Sequence, residues 1–184
     1  MCRITAAGKE AAVARFLQEF PSASRAESDH PELRGCDDIA WADFPECPAG
    51  VPALLRGLLD PVAAREAERV LCTVLMNSPF SMGPAMPAAL PFLLRLAADP
   101  AVPVRTELVE VLLVVAELSH PVDGGSEQAI RFLGSDGDHP ERALCRAVFV
   151  EHADLVRGLL DDRTLPDGLI PPDERRSLLT VTTP

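Results

Sequence analysis

The sequence predicts an all-α fold, an α-α superhelix of about three helix pairs with short capping helices, and two repeats support this prediction. The segment 51–61 (VPALLRGLLDP) returns in similar form at 90–100 (LPFLLRLAADP), thirty-nine positions later. The segment 155–162 (LVRGLLDD) then repeats 54–61 almost letter for letter. A period of about 40 residues with two helices per unit is typical of stacked α-solenoid repeats.

The N-terminal segment 1–50 is predicted to contain a capping helix followed by an acidic lead-in. Residues 9–20 carry apolar side chains at helical spacing, and Pro21 is expected to end that helix. From 22 to 50 the chain is polar and acidic, so we expect mostly loop, with one short helix around 36–43. A loop of this length inside a compact domain is usually disordered or functional.

The segment 51–184 is predicted to form the repeat units, within a single structural domain. In the first two units an Asp-Pro step (Asp60, Asp99) lies between the helices, where Asp favours the N-cap and Pro the first turn. Residues 108–118 are apolar almost throughout, so we expect the helix predicted at 102–119 to be covered on both sides. The third unit has a degenerate second helix, as terminal repeats often do. The predicted helices cover 51–59, 61–77, 87–98, 102–119, 126–133, 141–152, 155–162 and 173–179.

The composition indicates an acidic domain with enough apolar residues for a core of its own. The chain has 184 residues, of which 47% are hydrophobic, so no metal or disulfide is needed to hold the core. The formal net charge is −11, and the segment 21–50 holds seven acidic residues against two arginines. Because phosphate backbones are bound by basic surfaces, this charge argues against nucleic-acid binding. One interpretation of the acidity is a basic protein partner, and the other is that it only keeps a leucine-rich repeat stack soluble.

The sequence also carries signals about compartment. The first nine residues lack the apolar region of a signal peptide, and the five cysteines form no C-x-x-C pair, which suits a reducing compartment. We therefore expect a cytoplasmic protein. The uncharged run 70–94 is long enough to suggest a membrane span, but four prolines interrupt it. Two helices and a loop are expected there, with no membrane association.

Motifs for catalysis, cofactor binding or metal binding are not recognisable in the sequence. The four histidines (His30, His120, His139 and His152) stand apart, and no nucleophile is paired with a base. No glycine-rich phosphate loop occurs, and the cysteine spacing matches no zinc site. We therefore expect no catalytic residue, no metal and no cofactor, while an enzymatic activity stays open.

An acidic cluster around the single tryptophan is the first candidate binding site. Asp37, Asp38 and Asp43 flank Trp41 in the chain, and an aromatic anchor with carboxylates can bind a cation or a basic partner. A tryptophan in this position can instead act as a hydrophobic plug between the lead-in and the first repeat. Both interpretations are open at this point.

The uncharged loop 78–86, between the two best repeats, is the second candidate. It contains Phe80, Met82 and Met86, and methionine-rich surfaces adapt to varied apolar ligands. The loop is either packed against the repeats or exposed for a partner.

The helix pairs resemble HEAT-like (armadillo-type) repeats. Each unit has an A helix, an Asp-Pro turn and a B helix that opens with Val-x-x-Arg (62–65) or Val-Arg (104–105). The match covers roughly 51–162. The whole chain also resembles a group of uncharacterised actinobacterial HEAT-like proteins, in which a Trp-bearing lead-in, here 39–44, precedes a Val-Pro-x-Leu-Leu helix. The resemblance implies a concave face that binds proteins or peptides, although fold alone does not settle function.

These observations predict a non-catalytic protein-binding module of a bacterial cytoplasm, immunity-like or regulator-like, whose partner is a protein or peptide of basic character. The alternative is a small-molecule-binding or enzymatic HEAT-like protein of secondary metabolism. In that alternative the lead-in and the loop 78–86 close over a concave pocket near Trp41.

Overall fold

The computed structural model describes residues 5–25 and 30–183, and this part of the chain is mostly helical, in agreement with the predicted all-α class. The predicted helices agree with the observed ones to within about one turn. The α-helices are α1 Ala6–Glu19, α2 Ser22–Arg25, α3 Val51–Gly57, α4 Ala64–Leu75, α5 Met86–Ala98, α6 Arg105–Ser119, α7 Glu127–Leu133, α8 Pro140–Glu151, α9 Ala153–Asp161 and α10 Pro172–Val181. The short helix predicted around 36–43 is reduced to a 3-10 turn, Trp41–Asp43, which follows another at Pro31–Leu33. Residues 26–29 of the lead-in and the first four residues of the N-terminal segment lie outside the described residues.

The helices pack in the pairs that the repeats predict. Helix α3 packs on α4, α5 on α6, and α9 on α10. The pairs are joined through their second helices, because α4 and α10 both contact α6. Helix α8 departs from a strict two-helix repeat, since it lies against both α5 and α6 and also touches α9 and α10.

Helix α5 lies at the centre of the core. Its apolar side chains are buried around the helix, and Leu90, Leu94 and Leu96 are fully inaccessible. It contacts α6, α8, α9 and the first 3-10 turn of the lead-in. Burial of a single leucine side chain contributes about 1.5–3 kcal/mol, so this helix supplies much of the driving force for folding.

Helix α6 packs against α5, α8 and α10, but one stripe of it stays uncovered, which differs from the prediction that both sides would be covered. Val115 and Ala116 are fully buried, whereas Val114 is 46% exposed. The physical reason is that α4 and α6 leave a groove between them, and the side chains of both helices line it. An almost uniformly apolar helix therefore keeps one apolar stripe at the surface.

A short antiparallel hairpin connects α4 to α5 where the sequence predicted a loop. It consists of β1 Met76–Ser78 and β2 Ser81–Met82. The Gly83 N–H donates to the Leu75 carbonyl at 2.7 Å, and a Cβ at Gly83 would lie 2.8 Å from that oxygen. Glycine is therefore required for this close approach. The run 70–94 is interrupted as predicted, and within the described residues no helix has the length and apolar character to cross a bilayer.

The Asp-Pro steps form a repeated turn rather than a helix cap. The Asp60 carboxylate accepts a hydrogen bond from the Val62 N–H at 2.9 Å, and Asp99 accepts from the Ala101 N–H at 2.8 Å. These side chains close the turn by binding the backbone two residues further along. The helices α4 and α6 consequently begin a few residues later than the Asp-Pro rule predicts.

The only lysine of the chain is buried and ties α1 to the end of α4. Lys9 is 1% exposed, and its ammonium donates to the Val74 carbonyl at 2.8 Å and to the Asn77 Oδ1 at 3.2 Å. A cation at the carbonyl end of a helix is stabilised by the helix dipole. This contact fixes the capping helix that the sequence predicted onto the first helix pair.

A buried arginine at the start of α6 joins the last turn of α5 to the turn after α9. The Arg105 Nε donates to the Ala97 carbonyl at 2.7 Å, one terminal nitrogen donates to the Thr164 hydroxyl at 2.7 Å, and the other pairs with Asp162. The Arg105 side chain is 8% exposed. The backbone N–H of Thr164, the Arg105 guanidinium and the Thr164 hydroxyl together lower the pKa of Asp162 to about 2.

Replacing Arg105 with alanine should lower the free energy of unfolding by about 2–4 kcal/mol, because the Ala97 carbonyl loses its partner and a cavity remains. Urea unfolding followed by circular dichroism measures this loss. Arg157→Ala is the matched control, since Arg157 is exposed and pairs only within α9, with Asp154. Its cost should stay below about 0.5 kcal/mol. Equal, small losses for the two variants would contradict the joining role of Arg105.

The variant Asp162→Asn should be less stable than the wild type at neutral pH, and this difference should shrink in acid. A carboxyl whose pKa is lowered by folding stabilises the protein above its unfolded pKa, near 4, and loses this effect as the pH falls through the folded value, about 2. Urea unfolding of both proteins in this pH range measures the difference. A difference that stays constant down to about pH 2 would show that the ionised carboxylate has no such role.

Candidate functional site

The acidic cluster predicted around Trp41 lies on the surface, but the tryptophan does not. Asp37, Asp38 and Asp43 are exposed. Asp37 pairs with Arg56 at 2.8 Å, so part of its charge is neutralised. Trp41 is 3% exposed, and its indole N–H donates to the Cys36 carbonyl at 2.8 Å.

The Trp41 ring fills the core beside two phenylalanines. Its centroid lies 6.2 Å from that of Phe44 and 6.4 Å from that of Phe92, which belongs to α5. A partner cannot reach this ring unless the lead-in separates from α5. Of the two interpretations of Trp41, the hydrophobic plug describes its position, and the three aspartates have no exposed tryptophan among them.

The second candidate segment is split between surface and core. Phe80, at the tip of the hairpin, is 58% exposed. Met82 and Met86 are 2% and 0% exposed, and the Met82 sulfur lies 3.9 Å from the Cys145 sulfur. The two methionines are buried because β2 and the first turn of α5 face the core. Of the two interpretations of the loop, the packed one therefore describes the positions of both methionines.

The structure contains an open groove between α4 and α6 that the sequence analysis did not identify. Its cavity has a volume of about 300 Å³. The lining residues come from α4, from the start of β1 and from α6: Glu68, Cys72, Met76, Glu107, Glu110, Val111, Val114 and Val115.

The floor of the groove is apolar because both helices turn a regular stripe toward it. Cys72 on α4 and Met76 at the start of β1 are four residues apart, and Val111 and Val114 lie one turn apart on α6. Val114 is 46% exposed, so the floor is accessible from solvent. An accessible apolar floor surrounded by polar groups is typical of an interaction site.

Three glutamates form the rim of the groove. Glu68 stands on α4, and Glu107 and Glu110 stand on α6. The nearest cation to Glu107 is Arg65, at 3.7 Å, but the Arg65 side chain is 90% exposed, so this pair is weak. Arg69 is held by Glu66 at 2.5 Å and lowers the pKa of that carboxyl instead. The rim therefore keeps a negative charge.

The cysteine in the floor behaves as an apolar group rather than a nucleophile. Burial raises the pKa of the Cys72 thiol, and the adjacent Glu68 carboxylate, which accepts its hydrogen bond at 3.1 Å, raises it further. Burial likewise raises the pKa of Cys47 to about 11 and of Cys145 to about 12. Because the thiolate is the reactive form, these three thiols are poor nucleophiles at neutral pH.

His120, Ser177 and Glu117 form a chain of polar contacts that does not have the order of a catalytic triad. The His120 ring contacts the Ser177 hydroxyl at 2.7 Å, and this hydroxyl donates to Glu117 at 3.0 Å. In a catalytic triad the acid contacts the histidine, which then activates the serine, so the order of contacts is different here. Among residues 5–25 and 30–183, no three His, Cys, Asp or Glu side chains are grouped to hold a metal ion.

Sequence reasoning missed the groove because it located functional residues by motif and composition. The four-residue spacing of Glu68, Cys72 and Met76 was available, as was the uniformly apolar character of α6. A helix that is apolar on all sides exposes an apolar face to solvent unless neighbouring elements cover every side. The uniformly apolar character of α6 was therefore the signal for an exposed apolar face, but the sequence did not show which face stays open.

Replacing Glu68 with glutamine should accelerate alkylation of Cys72 by iodoacetamide several-fold at about pH 8, because the thiol then lacks the adjacent negative charge. Mass spectrometry of the peptide that contains Cys72 measures the rate. Glu151→Gln, at an exposed position on α8, is the control and should leave the rate unchanged. An unchanged rate in the Glu68 variant would contradict the inferred coupling.

No family model, no curated protein and no solved structure gives a significant match to this chain.

Proposed function

We propose that this protein is a protein-binding module that captures a basic, amphipathic segment of its partner in the α4–α6 groove. The observation that carries the proposal is the exposed apolar floor around Val114, enclosed by the carboxylates of Glu68, Glu107 and Glu110. Apolar side chains of the partner bind the floor, and its lysines or arginines meet the rim.

The size of the groove supports a side-chain anchor. A cavity of about 300 Å³ is at the lower limit of ligand pockets but accommodates one or two large apolar side chains. Interfaces of this kind depend on a few anchors in apolar pockets surrounded by polar contacts. The groove offers this combination within two helical turns.

The charge supports a basic partner. The net charge is −11, and the rim glutamates have no strong cationic partner among the contacts described above. Opposite charge on the partner accelerates association and excludes acidic competitors. The exposed Asp38 and Asp43 of the lead-in extend the acidic surface, although they lack an accessible apolar anchor.

The proposed architecture is a short HEAT-like solenoid in which α3/α4, α5/α6 and α9/α10 are the successive units. In this scheme α4 and α6 are the second helices of neighbouring units, so the groove lies where the first two units meet. The packing of α4 and α10 on α6 supports this arrangement, and α8 is an inserted helix. An immunity-like or regulator-like role in a bacterial cytoplasm is the biological form of the proposal.

The proposal predicts that Val114→Glu weakens binding of a basic amphipathic peptide by about tenfold or more. The probe is a fluorescein-labelled peptide of leucine and lysine, measured by fluorescence anisotropy at near-physiological salt. Val62→Glu is the matched control, because Val62 is 81% exposed and outside the groove. Both variants add the same charge to an exposed valine, so equal affinities would contradict the proposed site.

Charge reversal locates the electrostatic part of the interaction. Glu110→Arg should weaken binding severalfold, whereas Glu151→Arg on α8 should have a much smaller effect. The double variant Asp38→Arg, Asp43→Arg tests the lead-in separately. If only the lead-in variant weakens binding, the acidic lead-in and not the groove binds the partner. If the protein does not bind the peptide but binds a small apolar amine in the groove, this result would support the small-molecule alternative.

A further inference from the structure

The apolar stripe of α6 continues beyond the groove into a second cavity. This cavity has a volume of about 320 Å³. Leu118 supplies its α6 wall, and Phe80 supplies the wall from the hairpin tip. Val111 and Val114 of the first cavity and Leu118 of the second are spaced i, i+3 and i+7, so they lie on one face of α6.

The hairpin forms the opposite edge of the same surface. Met76, the first residue of β1, lines the first cavity, and Phe80 lines the second. Phe80 is 58% exposed, and Leu133 of α7, which also lines the second cavity, is 38% exposed. The first cavity, between α4 and α6, and the second, between α6 and the hairpin tip, therefore follow one another along α6, about 10 Å apart for seven residues.

Acidic groups accompany the stripe over its whole length. Glu110 and Glu117 stand seven residues apart on the same edge of α6, next to the first and second cavities respectively. The cation of the second cavity, Arg142, is already engaged, because it donates to the Leu133 and Gly134 carbonyls and pairs with Asp136. The carboxylates thus face the solvent side of the surface without a competing free arginine among these contacts.

We propose that the partner segment is an α-helix of about three turns that lies along α6, with one apolar anchor in each cavity and basic residues one heptad apart. This inference rests on the proposed function and extends it from one cavity to two. A helix rises about 1.5 Å per residue, so anchors at i and i+7 match the spacing of Val111 and Leu118. Basic residues at the same interval meet Glu110 and Glu117. Binding of an amphipathic helix in an apolar groove through such anchors is a recurring recognition mode.

The test uses three synthetic peptides of leucine, lysine and alanine, each with a fluorescent label. The first is a hydrocarbon-stapled helix with leucine anchors seven residues apart. The second replaces one of those anchors with asparagine, and the third carries two central prolines that prevent a helix. Affinities are measured by fluorescence anisotropy for the wild type, Phe80→Ser and Val114→Glu. Leu179→Ser is the control, because Leu179 is 41% exposed on α10 and lines neither cavity.

We expect Phe80→Ser to weaken the two-anchor helix about fivefold or more and to leave the one-anchor helix unchanged. Val114→Glu should weaken binding of both helices, and the proline peptide should bind more weakly than the two-anchor helix.

If Phe80→Ser behaves like Leu179→Ser while Val114→Glu still weakens binding, the second cavity has no role, and the proposed function stands without it. If neither substitution changes the affinity, the proposed function fails as well. Equal binding of the proline peptide would overturn the helical form of the partner.

Discussion

Burial of helix α5 is the constraint on which the rest of this structure depends. Its apolar side chains project in several directions, so one neighbour cannot cover them. Helices α6, α8 and α9 and the lead-in are therefore drawn around it, and Trp41 closes the remaining side against Phe92. The buried Arg105 then joins the last turn of α5 to the turn after α9, because its guanidinium binds groups from both. Burial of apolar side chains drives folding, and the hydrogen bonds of Arg105 fix the turn after α9 relative to α5.

The open groove follows from the same constraint. Helix α6 is nearly as apolar as α5, but α5, α8 and α10 cover only part of its surface. Helix α4 meets it less closely, which leaves the stripe at Val111 and Val114 accessible between glutamates. An accessible apolar stripe is unfavourable for an isolated chain, and a partner helix would remove it from water. In the proposed function, the acidic rim would favour a basic partner.

Particular residues show how far the sequence could be interpreted. The sequence segments 54–60 and 155–161 are nearly identical, yet their glycines have different surroundings. A Cβ at Gly57 would lie 2.6 Å from the Phe16 ring, whereas Gly158 has open space around it. The repeat predicted both helices correctly, because helix formation depends on local spacing and turn residues. The sequence predicted α1 as a capping helix, but the repeat did not show that the Phe16 ring approaches Gly57 so closely, since that contact joins residues far apart in the chain. For the same reason the sequence left open whether the loop with Met82 and Met86 is packed or exposed, and both side chains are buried.

The sequence by itself determined the helical class, the order and approximate bounds of the helices, the Asp-Pro turns and the acidic charge. Each of these properties depends on residues within a few positions of one another or on composition alone. Only the tertiary structure decided that Trp41 is covered, that α6 keeps one face open and that Phe80 stands beside that face. These outcomes depend on which surfaces of distant helices meet. Val114 and Val115 of α6 are the same residue type, yet one is exposed and the other buried because their neighbours differ.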